Sequence, residues 1–168
     1  MIAEVIAFTL RNLPAFLFVL AFVFAFALPR RRGWPLHRRL LSWVLLLQFG
    51  ITGLWSGFFH VFFPEISASY IGWQVSPFQY EVGMADFAIG ATACIAFWGD
   101  LGFQAAAVCT ASIFLLGDAI GHVRQMIDTG NFAPGNAGVP FYMDIVCPVL
   151  AIVLLLIACR SAGSRAAQ

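Results

Sequence analysis

Hydrophobic and polar positions follow one another along this chain in long blocks. Apolar residues form five runs, at about 2–28, 40–63, 78–98, 103–127 and 141–159. A helix that crosses a bilayer needs roughly 17–25 residues, so every run is long enough to do so. The pattern predicts an all-α fold: a polytopic membrane protein that is a five-transmembrane-helix bundle, forms a single integral domain over residues 1–168 and is surrounded by the lipid bilayer.

The first run needs two further comments. It contains Pro14, which is predicted to kink the helix rather than divide it, since neighbouring helices can satisfy the freed carbonyl group. It has no basic start and exceeds the length of a signal peptide, so we expect it to remain as a span.

Composition agrees with the block pattern. Hydrophobic residues make up 61% of the 168 and charged residues 10%, whereas a soluble domain carries about 25% charged residues. No stretch interleaves basic and aromatic residues, so we expect no nucleic-acid partner. The sequence motifs of soluble nucleotide-binding proteins, hydrolases and metalloproteases are also missing. The sequence therefore leaves open whether the protein is an enzyme.

The arginines predict the orientation. With five spans, seven arginines fall on one side, in the loop 29–39 and the tail, and only Arg11 and Arg124 lie toward the other side. The seven are Arg30, Arg31, Arg32, Arg38, Arg39, Arg160 and Arg165. Because basic residues favour the cytoplasmic side, we expect the N-terminus outside, the C-terminus in the cytoplasm, and a multi-pass protein of a prokaryotic inner (plasma) membrane.

Polar side chains lie at two depths in the outer half of the membrane. At 1.5 Å per helical residue, His60, Glu81 and Asp144 are each roughly 6 Å below the outer boundary, and His122 is roughly 9 Å below it. A deeper level, at roughly 14–15 Å, holds Asp86 and Asp118, with Arg11 at a similar depth. Charged groups facing lipid cost several kcal/mol each, so we expect them to face one another, water or a bound species.

Helical periodicity brings several of these groups onto shared faces. Asp118 and His122 are four residues apart on one face, and Gln125 continues the stripe. Arg11 is the expected ion-pair partner of Asp86 or Asp118, since desolvation otherwise favours the neutral acid. Arg124 can extend to the outer boundary and line the rim of the same opening. The segment GDAIGHVRQMID, 117–128, is therefore predicted to form one wall of an outward-facing pocket.

Glycines accompany the polar stripes. Gly50, Gly53 and Gly57 share a face with His60, Gly83 and Gly90 share one with Asp86, and Gly117 and Gly121 form a GxxxG pair. Because small residues let membrane helices approach closely, we expect tight helix contacts beside the polar groups. The outward apolar faces of so small a bundle also make a homo-oligomer plausible.

The polar residues support four interpretations. The first is a divalent metal site, with His60, Glu81, His122 and Asp144 as ligands suited to Zn, Fe or Mn. The second is a proton or small-solute pathway through both levels. The third is a b-type haem held by His60 and His122, which the nearby carboxylates disfavour. In the fourth, the charges are only ion pairs that fix helix packing.

Four segments carry a family resemblance: WSGFFHVFFP (55–64), SPFQYEVGMADFAIG (76–90), GDAIGHVRQM (117–126) and NFAPGNAG (131–138). Through them the chain resembles an uncharacterised family of small multi-spanning prokaryotic membrane proteins. The resemblance covers about residues 45–150, and residues 76–90 are its most specific part. It implies an inner-membrane location and no assigned activity, and it transfers no catalytic residues to this chain.

Overall fold

The structure, a computed structural model, describes residues 2–28 and 33–166, and within those ranges the chain is helical with no strand. The helices are α1 (Ile2–Arg11), α2 (Leu13–Ala27), α3 (Leu36–Trp43), a π-helical segment (Val44–Ile51), α4 (Thr52–Phe62), α5 (Pro64–Ile71), α6 (Phe78–Ala96), α7 (Leu101–Thr129), α8 (Pro134–Ala137) and α9 (Val139–Ala166). Part of the arginine pattern that predicts the orientation lies outside the described residues, namely Arg30, Arg31, Arg32 and the side chain of Arg165.

Three continuous helical stretches are long and apolar enough to cross a membrane. They are Leu36–Phe62 with 27 residues, Leu101–Thr129 with 29 and Pro134–Gly163 with 30. Leu13–Ala27 is apolar but shorter, and α6 has 19 residues. Helices therefore form at all the predicted apolar runs, while length and apolarity alone identify three membrane-crossing helices in the described part of the chain.

The predicted kink near Pro14 is a break of one residue at Asn12, between α1 and α2. Pro14 lies in the first turn of α2, where a missing N–H group costs no helical hydrogen bond. The Asn12 side chain bridges the break by donating to the carbonyl of Phe8 at 2.8 Å.

The helix from Leu36 to Phe62 contains an element that hydrophobic periodicity does not reveal. Between α3 and α4, eight residues follow the wider π-helical pattern, in which each N–H group bonds five residues back. The hydroxyl group of Thr52 likewise donates to the carbonyl of Leu47, at 3.3 Å. Such segments are rare and occur frequently at functional sites. This one places Gln48 in the interior of the bundle, with 5% of its surface exposed.

Glycines hold α4 and α6 in close contact, as predicted for the second and third apolar runs. A Cβ atom added to Gly53 would lie 3.1 Å from the Cα atom of Gly90, and one added to Gly57 would lie 2.8 Å from the carbonyl oxygen of Gly83. The backbones therefore touch, and only glycine permits this separation. The contact fixes Asp86, on α6, opposite Ser56, on α4.

The expectation for Gly117 and Gly121 was wrong. A Cβ atom added to either glycine of α7 would meet no described atom within 4 Å. These two positions lie away from the neighbouring helices, because the face of α7 that packs in the bundle carries Ala107, Ala111 and Ala119 instead. The GxxxG spacing is present without a helix contact within the described chain.

The two ends of the bundle differ in their packing. At the end that contains Arg38 and the C-terminal part of α9, which we call the arginine end, Leu41, Val44 and Leu45 are fully buried against small residues of other helices. The small residues are Ala21, Ala25, Ala93, Ala96, Ala107 and Ala151. The opposite end, which we call the cavity end, is covered by α5 and α8 and encloses a large hollow.

Candidate functional site

A cavity of about 620 Å³ occupies the cavity end. It lies between α4 and α6 on one side and α7 and α9 on the other, with Arg11 and Pro14 at one flank. Residues of α5 and α8 form its roof, and Gln48 and Phe49 of the π-helical segment also line it. Pockets that hold small molecules have volumes of about 300–1,000 Å³, so the cavity has room for a small molecule.

Three carboxyl groups line this cavity from three different helices: Asp86 on α6, Asp118 on α7 and Asp144 on α9. Each lies within electrostatic range of the other two. Asp86 is 8% exposed and accepts a hydrogen bond from the hydroxyl group of Ser56 at 2.8 Å. Acidic groups separated by as many as 58 positions in the sequence, from 86 to 144, thus share one space.

His122 is buried in the cavity wall, and its ring orientation is fixed by Asn136 of α8. The Asn136 amide nitrogen donates to the carbonyl groups of Asn131, at 2.8 Å, and His122, at 3.3 Å. The amide oxygen therefore faces His122 and accepts from Nδ1 at 2.8 Å. The neutral ring carries its proton on Nδ1 and directs Nε2 toward the Asp144 carboxyl oxygen, 3.6 Å away.

Hydrogen bonds hold the roof over the cavity in place. Asn131 donates from its side chain to the carbonyl of Ile71 at 2.9 Å. Gly135 packs directly on α5, because an added Cβ atom would lie 2.8 Å from the carbonyl oxygen of Tyr70. Gly72 ends α5 in the left-handed conformation, with φ of 81°. These contacts make the roof an ordered part of the fold.

His60 lies in the cavity wall opposite His122 and has the other tautomer. The Gln79 amide nitrogen donates to the carbonyl of Pro64 at 3.1 Å and also faces His60 Nδ1 at 3.2 Å. Nδ1 therefore accepts, and the neutral ring carries its proton on Nε2. The two histidines occupy the same cavity, one as an Nε2 donor and the other with Nε2 facing Asp144.

Gln48 is the buried polar residue closest to the middle of the chain's second apolar run. Its Oε1 atom is buried and makes no hydrogen bond with any residue that the structure describes. Buried polar groups in proteins nearly always have a partner. Because Gln48 also lines the cavity, its amide oxygen is a polar atom of the site that lacks a hydrogen-bond partner in the described chain.

The expected pairing of Arg11 with Asp86 or Asp118 was wrong. Arg11 lines the cavity but is exposed, and in the described chain it forms no ion pair with either aspartate. Equal depth along the chain therefore does not bring the guanidinium to the carboxyl groups. Instead, the Tyr70 hydroxyl donates to the Arg11 carbonyl at 3.5 Å. Burial raises the pKa of the Tyr70 phenol, and the charge of Arg11 acts in the opposite direction.

Three predicted site residues are not among those that line the cavity: Glu81, Arg124 and Gln125. Glu81 and Arg124 are exposed, while the Gln125 side chain accepts from the Thr129 hydroxyl at 3.4 Å. Glu81 faces away from Asp86 because five residues rotate a helix by about 140°. The six predicted residues that do line the cavity are Arg11, His60, Asp86, Asp118, His122 and Asp144.

The arrangement gives the metal and haem interpretations little support. Among the described residues, no three His, Cys, Asp or Glu side chains are grouped closely enough to hold a metal ion. The contact between His122 and Asp144 brings two of the four predicted ligands together, but Glu81 is absent from the cavity. A haem bound by two histidines needs a free ring nitrogen on each, and both nitrogens of His122 face protein groups.

Sequence reasoning missed four residues that shape the site: Gln48, Ser56, Gln79 and Asn136. Gln48 stood out only as a single amide in the run LLLQFG. Ser56 and Gln79 lie within the segments that carry the family resemblance, and Asn136 lies in the Gly- and Asn-rich loop. Their roles depend on contacts between distant segments, which spacing along one helix does not indicate.

Comparison with known proteins gives one match. A family model described as a family of unknown function, DUF6790, matches residues 11–164. No curated protein and no solved structure matches the chain significantly.

Proposed function

Because the chain belongs to a family of unknown function, DUF6790, we propose its function from its helices and its cavity. The protein is a five-span membrane protein that binds a small polar solute in the cavity, as a binding or transport site open to the outside. The observation that carries this proposal is the cavity of about 620 Å³, into which three helices each contribute an aspartate.

The proposed topology combines the helices with the arginine rule. Arg38 and the end of α9 line the same small hollow, so Arg38 and the C-terminal part of α9 lie at one end of the bundle. Basic residues remain on the cytoplasmic side, which places the arginine end inside. The cavity end, with α5 and α8, then faces out, and the N-terminus lies on that side.

The arrangement of charges favours solute binding over a purely structural role. Charged groups that only fix helix packing are expected to form ion pairs with one another. Asp118 has no hydrogen bond or ion pair in the described chain, and Arg11 does not supply one. An unpaired carboxyl group that faces a hollow in a membrane protein is typical of a solute or ion pathway.

The proposal requires that water and small charged molecules enter the cavity from outside. Thr52 lines the cavity, and none of the four native cysteines does. We therefore expect Thr52→Cys to react with a membrane-impermeant methanethiosulfonate reagent that is added to intact cells. The reagent needs an ionised thiol, which forms only where water reaches it.

Thr110→Cys is the matched control. Thr110 also bonds to its own helix, through a 3.0 Å contact with the carbonyl of Ala106, but it is exposed on the outside of the bundle. We expect Thr110→Cys to remain unlabelled, because it lies in the lipid-facing surface. The parent chain should show only the labelling of its native cysteines. Equal labelling of Thr52→Cys and Thr110→Cys would contradict a water-filled cavity, and labelling only from the cytoplasmic side would contradict the topology.

A further inference from the structure

We infer that the cavity selects a small organic cation that carries N–H donors, such as a primary ammonium or guanidinium compound. This inference rests on the proposed function and specifies the class of solute. Three observations lead to it: the acidic side chains on the cavity wall, their acceptor atoms that no described donor uses, and the amide oxygen of Gln48, which has no hydrogen-bond partner in the described chain.

The ionisable groups on the wall are predominantly acidic. Asp86, Asp118 and Asp144 lie in mutual electrostatic range, and the arginine that lines the cavity in the described chain is Arg11, whose side chain is exposed at the flank. Carboxylates that face one another in a space of low dielectric constant repel strongly. A bound cation relieves this repulsion, whereas a bound anion increases it.

The wall also offers acceptor atoms that no described donor uses. One oxygen of Asp86 receives the Ser56 hydroxyl, and the two oxygens of Asp118 receive no hydrogen bond from the described residues. Ionised carboxyl groups only accept hydrogen bonds. A cation with N–H groups supplies those donors, but a quaternary ammonium ion does not. Hydrogen bonds that involve a charged group are about twice as strong as neutral ones.

Gln48 provides an independent indication of a polar ligand. It is 5% exposed and lines the cavity, and its buried Oε1 accepts no hydrogen bond in the described chain. Its position in the π-helical segment agrees with the frequent use of such segments at functional sites. Rotation about the last side-chain bond exchanges the amide oxygen and nitrogen, so the oxygen can accept from a bound N–H group.

Aromatic side chains complete the wall. Trp55, Phe59 and Tyr70 line the cavity, and the rings of Trp55 and Phe59 lie 4.6 Å apart. The face of an aromatic ring attracts cations. Carboxyl groups together with aromatic faces therefore suit an organic cation better than an inorganic ion, in agreement with the absence of a three-ligand metal group among the described residues.

The first experiment measures charge selectivity at Thr52→Cys. The rate of labelling by the cationic trimethylammonium-ethyl methanethiosulfonate is compared with that of the anionic sulfonatoethyl reagent, each normalised to Ser76→Cys in an exposed loop. Negatively charged clefts raise cation association rates by about 10-fold or more, so we expect a ratio of at least about 10. Asp118→Asn should lower the ratio several-fold.

Asp128→Asn is the matched control, because Asp128 lies on the same helix but is exposed and does not line the cavity. It should leave the ratio unchanged. A normalised ratio near 1 in the Thr52→Cys protein itself would overturn the inference, whether or not the aspartate variants fold.

The second experiment measures the preference for N–H donors. Guanidinium and tetramethylammonium carry the same charge, and each is used to protect Thr52→Cys from labelling. Guanidinium should protect at concentrations about 10-fold lower, the equivalent of one net hydrogen bond of about 1.4 kcal/mol. Gln48→Leu should reduce this preference without changing the ratio of cationic to anionic labelling. Equal protection by the two ions, or better protection by tetramethylammonium, would overturn the N–H requirement.

The two proposals fail in different ways. If neither reagent labels Thr52→Cys from outside, the cavity is closed to water and the proposed function fails. If both reagents label it at equal normalised rates, the cavity is open and only the inference about cations fails.

Discussion

The arginine end and the cavity end of this bundle are built from the same helices, yet the interior of one is closely packed and the other holds a large cavity. In the interior of the arginine end, large residues such as Leu41 and Leu45 pack against alanines, and the hollow beside Arg38 has a volume of only about 270 Å³. At the cavity end the same helices carry aspartates and histidines, and a space of about 620 Å³ remains between them. The packed interior of the arginine end stabilises the fold, which allows the cavity end to keep polar groups without partners.

The strongest test of this comparison is to create a cavity in the closely packed interior of the arginine end. Leu41 is fully buried, so Leu41→Ala should lower the free energy of unfolding by about 2–5 kcal/mol, because the neighbouring helices cannot close around the lost volume. Leu115→Ala is the control. Leu115 already borders the cavity, so its loss should cost much less. Thermal unfolding in detergent measures both, and equal costs would contradict the difference between the ends.

The second prediction concerns the glycine contact that sets the width of the cavity end. A Cβ atom at Gly90 would lie 2.7 Å from the Leu54 nitrogen and 2.9 Å from the Gly50 carbonyl oxygen. Gly90→Ala should therefore force α4 and α6 apart and cost about 1–3 kcal/mol of unfolding free energy.

Gly121→Ala provides the comparison for Gly90→Ala, because no described atom lies within 4 Å of its added Cβ. Alanine is the better helix former by about 1 kcal/mol, so this change should leave the thermal stability equal or slightly higher. A loss of stability at Gly121 as large as that at Gly90 would show that α7 has a tight contact there after all.

The third prediction tests the roof. Asn136→Ala removes the acceptor for His122 Nδ1 and the donor to the Asn131 carbonyl. Leaving buried groups without partners should cost about 1–3 kcal/mol, and hydrogen exchange should rise in residues 130–138. Asn12→Ala removes one local bond at an accessible position and should cost less. Unchanged exchange in the roof would contradict its dependence on Asn136.

The smallest expected effect is at Arg11. Because its exposed guanidinium lines the cavity without pairing to an aspartate, Arg11→Gln should raise the labelling of Thr52→Cys by the cationic reagent about twofold to threefold, by removing one repulsive charge. Arg124→Gln, exposed and outside the cavity lining, should have no effect. The folded fraction should not change in either variant, and a marked loss for Arg11→Gln would indicate a structural ion pair.

The helices and the polar end of the bundle could be predicted because both depend on local properties. Run length and apolarity locate the helices, and 1.5 Å per residue gives the depth of each polar group. Glu81 is exposed and Asp86 lines the cavity, which agrees with the rotation of about 140° between positions five residues apart on a helix. The five-span topology and the function of the polar residues stay predictions.

Other features depend on geometry that a regular helix does not contain. The depth of Arg11 was counted as for a continuous helix, whereas the chain has a break at Asn12. The π-helical segment shifts the faces of residues 44–51, so the wheel does not apply to Gln48. Asn136 reaches His122 from a loop 14 positions away. Each of these arises from irregular helix geometry or long-range contacts.

The hydrogen-bonded roof has a consequence for the energetics of any solute that enters. Asn131 and Asn136 hold residues 131–137 against α5 and α7. A loop that is ordered beforehand loses no conformational entropy when a ligand arrives, whereas ordering a flexible backbone costs about 1–2 kcal/mol per residue. Association with the proposed cavity should therefore be limited by entry of the solute rather than by loop closure, and weak polar contacts should be enough for measurable affinity.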